Sequence, residues 1–129
     1  MKILIAGASG GIGKYLAEHL STKHIVYGTY NTRKPDVDLD YHMNKVDVTN
    51  ESDVARWVST STTDSDELVL IYCVGVNYNC MIHKSDAEKW RKVIESNLFG
   101  VQHFLRHLLP KMRAKCFGRI VLLSSVVPQ

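Results

Sequence analysis

The sequence predicts a single α/β domain over residues 1–129, built on an open, doubly wound parallel sheet. Three observations predict it. Apolar runs of strand length alternate with helical stretches along the whole chain. The first run passes through a glycine-rich turn straight into a helix. The run at residues 68–73 is continuously apolar rather than alternating, as in a strand covered on both faces. With 129 residues the chain is long enough for one buried core, though small for a doubly wound sheet.

Lys2–Ala6 reads as the first strand, and residues 12–20 as a helix with Ile12, Leu16 and Leu20 spaced to face the sheet. Ile25–Tyr30 is the second strand, and the polar stretch 31–40, containing Pro35, is a loop. A short third strand is expected at 45–48. Thr49 or Asn50 then caps a helix running to about Ser59, with Asp53 completing a capping box from Asn50. A polar turn follows over 59–66, and then the fourth strand over 68–73. Residues 86–115 read as mostly helix, interrupted or bent near Gly100 and Pro110, with Val101, Phe104, Leu105, Leu108 and Leu109 on its core face. Gly118 breaks that helix and residues 119–123 form the fifth strand. Trp57 and Trp90 read as packing residues. Ligands of such sheets bind beyond the carboxyl ends of the strands, where the Gly7 turn, Asp47, Gly75 and Ser125 all fall.

The turn itself reads Gly7-Ala8-Ser9-Gly10-Gly11-Ile12-Gly13. Glycine permits positive φ and lets a ligand approach the backbone without a Cβ in the way. The start of the following helix offers unpaired N–H groups and a positive dipole end, a natural seat for a pyrophosphate. The spacing is G-x-x-x-G-x-G rather than the commoner G-x-G-x-x-G. A phosphate loop of Walker type is ruled out, since it would need glycine where Ala8 stands and Ser or Thr where Tyr15 stands.

Composition removes other classes. Sixteen Lys and Arg against thirteen Asp and Glu leave +3, too slight a charge for a nucleic-acid partner. Arg106, Lys111, Arg113, Lys115 and Arg119 cluster around a helix end and read as dipole compensation on a solvated face. No apolar stretch is long enough to span a bilayer, and the glycines interrupt any signal-peptide pattern, so no membrane partner is expected. Three cysteines with no C-x-x-C point to a reducing, cytoplasmic setting, which also empties the sequon Asn50-Glu51-Ser52 of meaning. His103 and His107, at i and i+4, lack both a third ligand and the H-E-x-x-H glutamate, so no metal site is expected.

Five ordered motifs resemble the short-chain dehydrogenase/reductase family, most nearly its 3-oxoacyl-carrier-protein reductases, over essentially the whole chain. They are the Gly7 turn (with Ala6 for the family's threonine), Val46-Asp47-Val48-Thr49, and Tyr72-Cys73-Val74-Gly75 where the family has N-N-A-G. The fourth is Glu95-Ser96-Asn97-Leu98-Phe99-Gly100, and the fifth is Gly118-Arg119-Ile120-Val121-Leu122-Leu123-Ser124-Ser125-Val126-Val127. The resemblance implies a Rossmann-type domain binding a nicotinamide dinucleotide through Gly7, Ser9, Gly10, Gly11, Ile12 and Gly13. It implies that Asp47 bonds the adenine amino group beside the backbone of Val48, and that Gly75 lets the backbone pass close to the cofactor. It assigns Asn97 to distorting the long helix and holding a water of a proton relay, and Ser125 to bonding the substrate oxygen and stabilising charge there. It also places part of a homo-oligomer interface on the long helix.

An acid after the second strand would bond a ribose diol and repel a 2′-phosphate. This chain has Asn31-Thr32-Arg33-Lys34 there, two cations and no acid, so Arg33, with Lys34 adding charge, favours NADP, with NAD the alternative, and Asn31 joins the cofactor-binding residues. The family's proton donor, the Tyr of Y-x-x-x-K, does not occur after Ser125. Tyr30 to Lys34 and Tyr41 to Lys45 match the spacing but precede the third strand, so neither can meet Ser125. The expectation is the amino-terminal part of a larger hydride-transferring enzyme, truncated after the fifth strand, inactive alone and prone to associate through that strand. Its substrate would be a small carbonyl or acyl compound. A non-catalytic dinucleotide-binding module, and a family member acting on a sugar or polyketide carbonyl, are the alternatives.

Overall fold

The computed structural model describes residues 1–33, 35, 39 and 41–124. Its core is a five-stranded, all-parallel sheet of β1 (Lys2–Ala6), β2 (Ile25–Tyr30), β3 (His42–Lys45), β4 (Leu68–Tyr72) and β5 (Gly118–Leu122). Strand order is β3-β2-β1-β4-β5. The chain therefore starts in the middle, winds to one edge, and returns past β1 to build the other. The order reverses between β1 and β4, which opens a crevice at their carboxyl ends.

Helix α1 (Gly11–Leu20) covers one face. Helices α2 (Glu51–Ser61) and α4 (Gly100–Lys115) cover the other. A shorter helix, α3 (Ala87–Ile94), runs into α4 through a π-helical turn at Glu95–Phe99. Period-two alternation divides each central strand between the faces. Leu4, Ala6, Leu68, Leu70 and Tyr72 pack against Trp57, Val58, Phe104, Leu108 and Met112. Ile3, Ile5, Val69 and Ile71 pack with Ala17 and Val26. Every residue of β4 is buried, which explains its unbroken apolar run.

Several expectations need correction. The third strand lies at His42–Lys45, ending before Asp47 rather than including it. Val46 N–H still donates to Tyr30 O at 2.8 Å, but the chain then bends. Asp47 Oδ1 accepts from Thr49 N and Oγ1 at 3.0 and 2.7 Å, and Asn50 N–H returns to Asp47 O. Those local bonds compete with the ladder and win. Asn50 is the cap of α2, accepting from Asp53 N–H at 3.1 Å. The second half of the box goes elsewhere, since Asp53 Oδ2 accepts from Asp47 N–H.

Ile12 does not face the sheet; it is 60% exposed, and α1 touches down through Gly13 and Ala17 with Leu16 and Leu20 beside them. Trp57 is buried edge-on to Phe104, but Trp90 and Leu109 are exposed. The interruption expected near Gly100 is the π-turn, whereas Pro110 sits inside α4 without ending it. Cys116, in the left-handed region at φ 56°, ends α4, with Phe117 N–H donating to Met112 O as in a Schellman cap. Gly118 already belongs to β5. That strand pairs with β4 but leaves Ile120, Val121 and Leu122 exposed.

Candidate functional site

Thr29, at the end of β2, fixes the start of the glycine turn. Its Oγ1 accepts from Gly7 N–H at 3.1 Å and its carbonyl from Ala8 N–H at 2.8 Å. Thr29 is almost fully buried. Sequence reading missed it, although one buried threonine closing an otherwise apolar strand was the available signal. Gly7 has φ 78°, and a Cβ there would press on Val74 Cγ2 at 3.0 Å. Gly10 precedes α1 in extended conformation with no side-chain cap, and the first turn of α1 carries no acid. Gly11 has φ 56° and no atom within 4 Å of where a Cβ would project. Uncapped N–H groups with an open approach fit a pyrophosphate.

Gly13 meets a different demand. A Cβ on it would collide with the carbonyl oxygen of Gly7, so its absence lets α1 sit against the turn. A side chain at Gly13 would therefore first disturb the packing of α1 on the turn.

Two clefts flank the turn. One, of about 340 Å³, is lined by Ser9, Gly10, Gly11, Lys14, Arg33 and Tyr41 among others. A Cβ on Gly10 would lie 2.6 Å from Arg33 Nη1, so the guanidinium lies over the glycine. The other, of about 450 Å³, is lined by Gly7, Asn31, Asp47, Val48, Val76 and Ser96 among others. Asn31 and Arg33, adjacent in the argument from sequence, thus line different clefts. Asp47 lends one carboxylate oxygen to Thr49, as above. The carbonyl of Val48 is held by His103 Nδ1–H at 2.9 Å. That contact, and His107 Nε2 at 3.4 Å from Glu51 Oε1, make both histidines packing groups between α4 and the start of α2. Among the described residues no group of three or more His, Cys, Asp or Glu is arranged to hold a metal.

Asn97 lies in the middle of the π-turn. Its Oδ1 accepts from Val76 N–H at 2.8 Å and its Nδ2 donates to Val76 O at 2.9 Å. The carboxamide therefore grips the segment after β4. Gly75, one residue before Val76, has nothing within 4 Å of its missing Cβ. Cys73 replaces an asparagine of the family pattern, and burial pushes its thiol pKa up, leaving it neutral. Tyr72, in the preceding position, donates its hydroxyl to Ser96 O. Ser125 and Lys34 lie outside the described residues. Of the two decoy tyrosines, Tyr30 pairs with Lys45 across β2 and β3, and Tyr41 is buried. No helix among the described residues is long and apolar enough to cross a membrane.

Comparison with known proteins agrees with this geometry. The chain is 36% identical over 127 residues to a 3-ketodihydrosphingosine reductase of Bacteroides thetaiotaomicron, covering 96% of itself and 46% of that protein. It is 26% identical to a 3-oxoacyl-[acyl-carrier-protein] reductase of Haemophilus influenzae, covering 96% of itself and 54% of the relative. The chain thus spans about half the length of these curated relatives. A closed serine dehydrogenase structure in complex with NADP+ superposes with a TM-score of 0.86 at 22% identity, over 97% of this chain and 54% of the other, a likeness of fold. The family model described as short chain dehydrogenase matches residues 1–129, and the chain belongs to the short-chain dehydrogenase/reductase family.

Proposed function

We propose that this chain is the dinucleotide-binding part of an NADP-preferring oxidoreductase that acts on a 3-keto group of an acyl-derived substrate. The observation that carries the cofactor preference is Arg33 lying over Gly10 in the cleft beside the glycine turn. A guanidinium there can take a 2′-phosphate in paired hydrogen bonds, Lys14 lines the same cleft, and the four residues directly after β2, Asn31 to Lys34, include no acid to repel it. The substrate class is supported by the two relatives, whose names both specify a ketone at the third carbon.

When bound, the nicotinamide supplies a hydride to the carbonyl carbon. The chain's own residues do the rest. N–H groups at the start of α1 hold the pyrophosphate in the gap left by Gly11. Asp47 accepts from the adenine amino group, with the Val48 backbone beside it. Asn97, by gripping Val76, fixes the wall next to Gly75; a water of the relay would have to use its backbone carbonyl or the remaining lone pair of Oδ1. Ser125 donates to the oxygen that gains charge. The proton donor would be the tyrosine of the family's Y-x-x-x-K pattern. The three free cysteines fit a reducing cytoplasm, and the exposed apolar residues Leu98, Phe99 and Leu109 on the long helix fit a homo-oligomer.

Fluorescence titration with NADPH and NADH tests the reading. Arg33→Ala should weaken NADPH about 10-fold or more, as expected for a charge-assisted bond, and NADH by less than about 2-fold. Equal losses, or an initial preference for NADH, would overturn the assignment of Arg33.

A further inference from the structure

The π-turn at Glu95–Phe99 has an unusual hydrogen-bond account. In a continuous α-helix Gly100 N–H would donate to Ser96 O, four residues back. Here it donates to Glu95 O, five residues back. Ser96 O is taken instead by the Tyr72 hydroxyl, which reaches it from the end of β4. Gly100 makes that reach possible, because a Cβ on it would overlap the phenol oxygen. Burial holds the phenol pKa far above its usual range, so the hydroxyl keeps its proton and remains a donor. The ring is fixed edge-on against Phe104, with centroids 5.8 Å apart.

The bond bears on the site because Ser96 and Glu95 line the cleft that holds Asp47 and Val48, and Val76 lines it too. Val76 is itself gripped by Asn97 from the same π-turn. One widened turn therefore shapes the cleft twice, through its own backbone and through the segment after β4. Single-turn π-bulges in helices often mark functional sites, because the extra residue is kept at an energetic cost.

We propose that Tyr72 is a positioning residue: its hydroxyl occupies the acceptor that the α-helical register would use, and so keeps the π-turn, Asn97 and Val76 in the arrangement that forms the dinucleotide cleft. This rests on the cofactor reading given above. Tyr72 stands where the family pattern has asparagine, a side chain too short to make this reach.

Tyr72→Phe keeps the ring and its contact with Phe104 and removes the donor. Gly100→Ala keeps the phenol but obstructs its path to Ser96. In the wild type, scalar coupling across the hydrogen bond should link the Gly100 amide nitrogen to the Glu95 carbonyl carbon. In either variant it should move to Ser96, and NADPH affinity should fall about 5- to 10-fold, as for one lost buried bond. Far-UV circular dichroism checks folding, and either folded variant suffices. Persistence of the Gly100–Glu95 coupling in a folded variant overturns the proposal, as does NADPH affinity within about 2-fold of wild type. Wild-type protein that binds no dinucleotide would defeat the cofactor reading instead, and the coupling would still decide whether Tyr72 holds the turn.

Discussion

Gly11 and Gly13 stand two residues apart in one motif and answer to different physics. Gly13→Ala would drive a methyl group into the Gly7 carbonyl, a backbone atom with no freedom to yield. It should cost about 1–3 kcal/mol or more of folding stability, as overpacking does. Gly11→Ala meets open space and pays only for its φ of 56°, about 1–2 kcal/mol, which Gly11→Asn should partly recover. Urea denaturation should thus rank Gly13→Ala as least stable and Gly11→Asn as nearest wild type. NADPH titration should find binding weakened in both Gly11 variants, whose folds persist. Equal stabilities at the two positions would refute the packing role of Gly13. The glycine spacing announced the turn because only glycine tolerates these conformations and contacts. It did not say which glycine served the helix and which the ligand, since both needs remove the same Cβ. The Tyr72 hydroxyl was illegible for a related reason. Its acceptor is a backbone carbonyl 24 residues away, freed by a register change that leaves no mark in the apolar pattern.

Elements at the amino ends of the strands are tied by a device far from the site. Lys2 Nζ, at the start of β1, donates to Ser61 O at 2.8 Å and pairs with Asp66 Oδ2 at 2.9 Å. The end of α2 and the turn before β4 are thereby pinned to the central strand. Burial alone would raise the Asp66 pKa. Hydrogen bonds from Thr63 N–H and Lys2, together with the lysine charge, outweigh it and hold the carboxyl below its ordinary 3.8. A depressed carboxyl stabilises the fold above its unfolded pKa, and the contribution is lost as pH falls through the folded value. Asp66→Asn should therefore lower stability at neutral pH by on the order of 1 kcal/mol or less. That gap should close as pH drops from about 5 towards and below the folded pKa, with NADPH affinity unchanged. Denaturation at neutral and acid pH checks it, and a gap that widened in acid would contradict the linkage. Strand and helix existence was legible here because apolar runs and the Asn50 cap are local signals. The position of β3 was not, because Asp47 and Thr49 satisfy each other and turn the chain away before the sheet can extend.

At the scale of the whole molecule, the candidate binding residues among those described gather at one end of the sheet, and that topology followed from the alternation of runs. Among the described residues no proton donor stands at the far side of the crevice. Asn97 has both ends of its carboxamide on Val76. The Tyr72 phenol is buried, held protonated, and committed to Ser96. Tyr30 belongs to β2, three strand spacings from β5, or roughly 14 Å. Tyr41 is buried beside the Arg33 cleft. Ser125, at neutral pH, can orient an oxygen but does not readily give up a proton. The 129 residues should accordingly bind NADPH yet fail to oxidise it with a small 3-oxoacyl thioester. Appending a strand and helix that carry Y-x-x-x-K after Gln129 should restore turnover, since a lysine one helical turn on lowers the phenol pKa towards the working range. The assay follows NADPH absorbance with both proteins at equal concentration. Turnover by the 129-residue chain that survives Ser125→Ala would place the chemistry on residues not assigned above and defeat the reading. Binding without turnover in the extended protein would instead favour a dinucleotide-binding module, one in which the clefts beside Gly10 and Asp47 serve recognition alone.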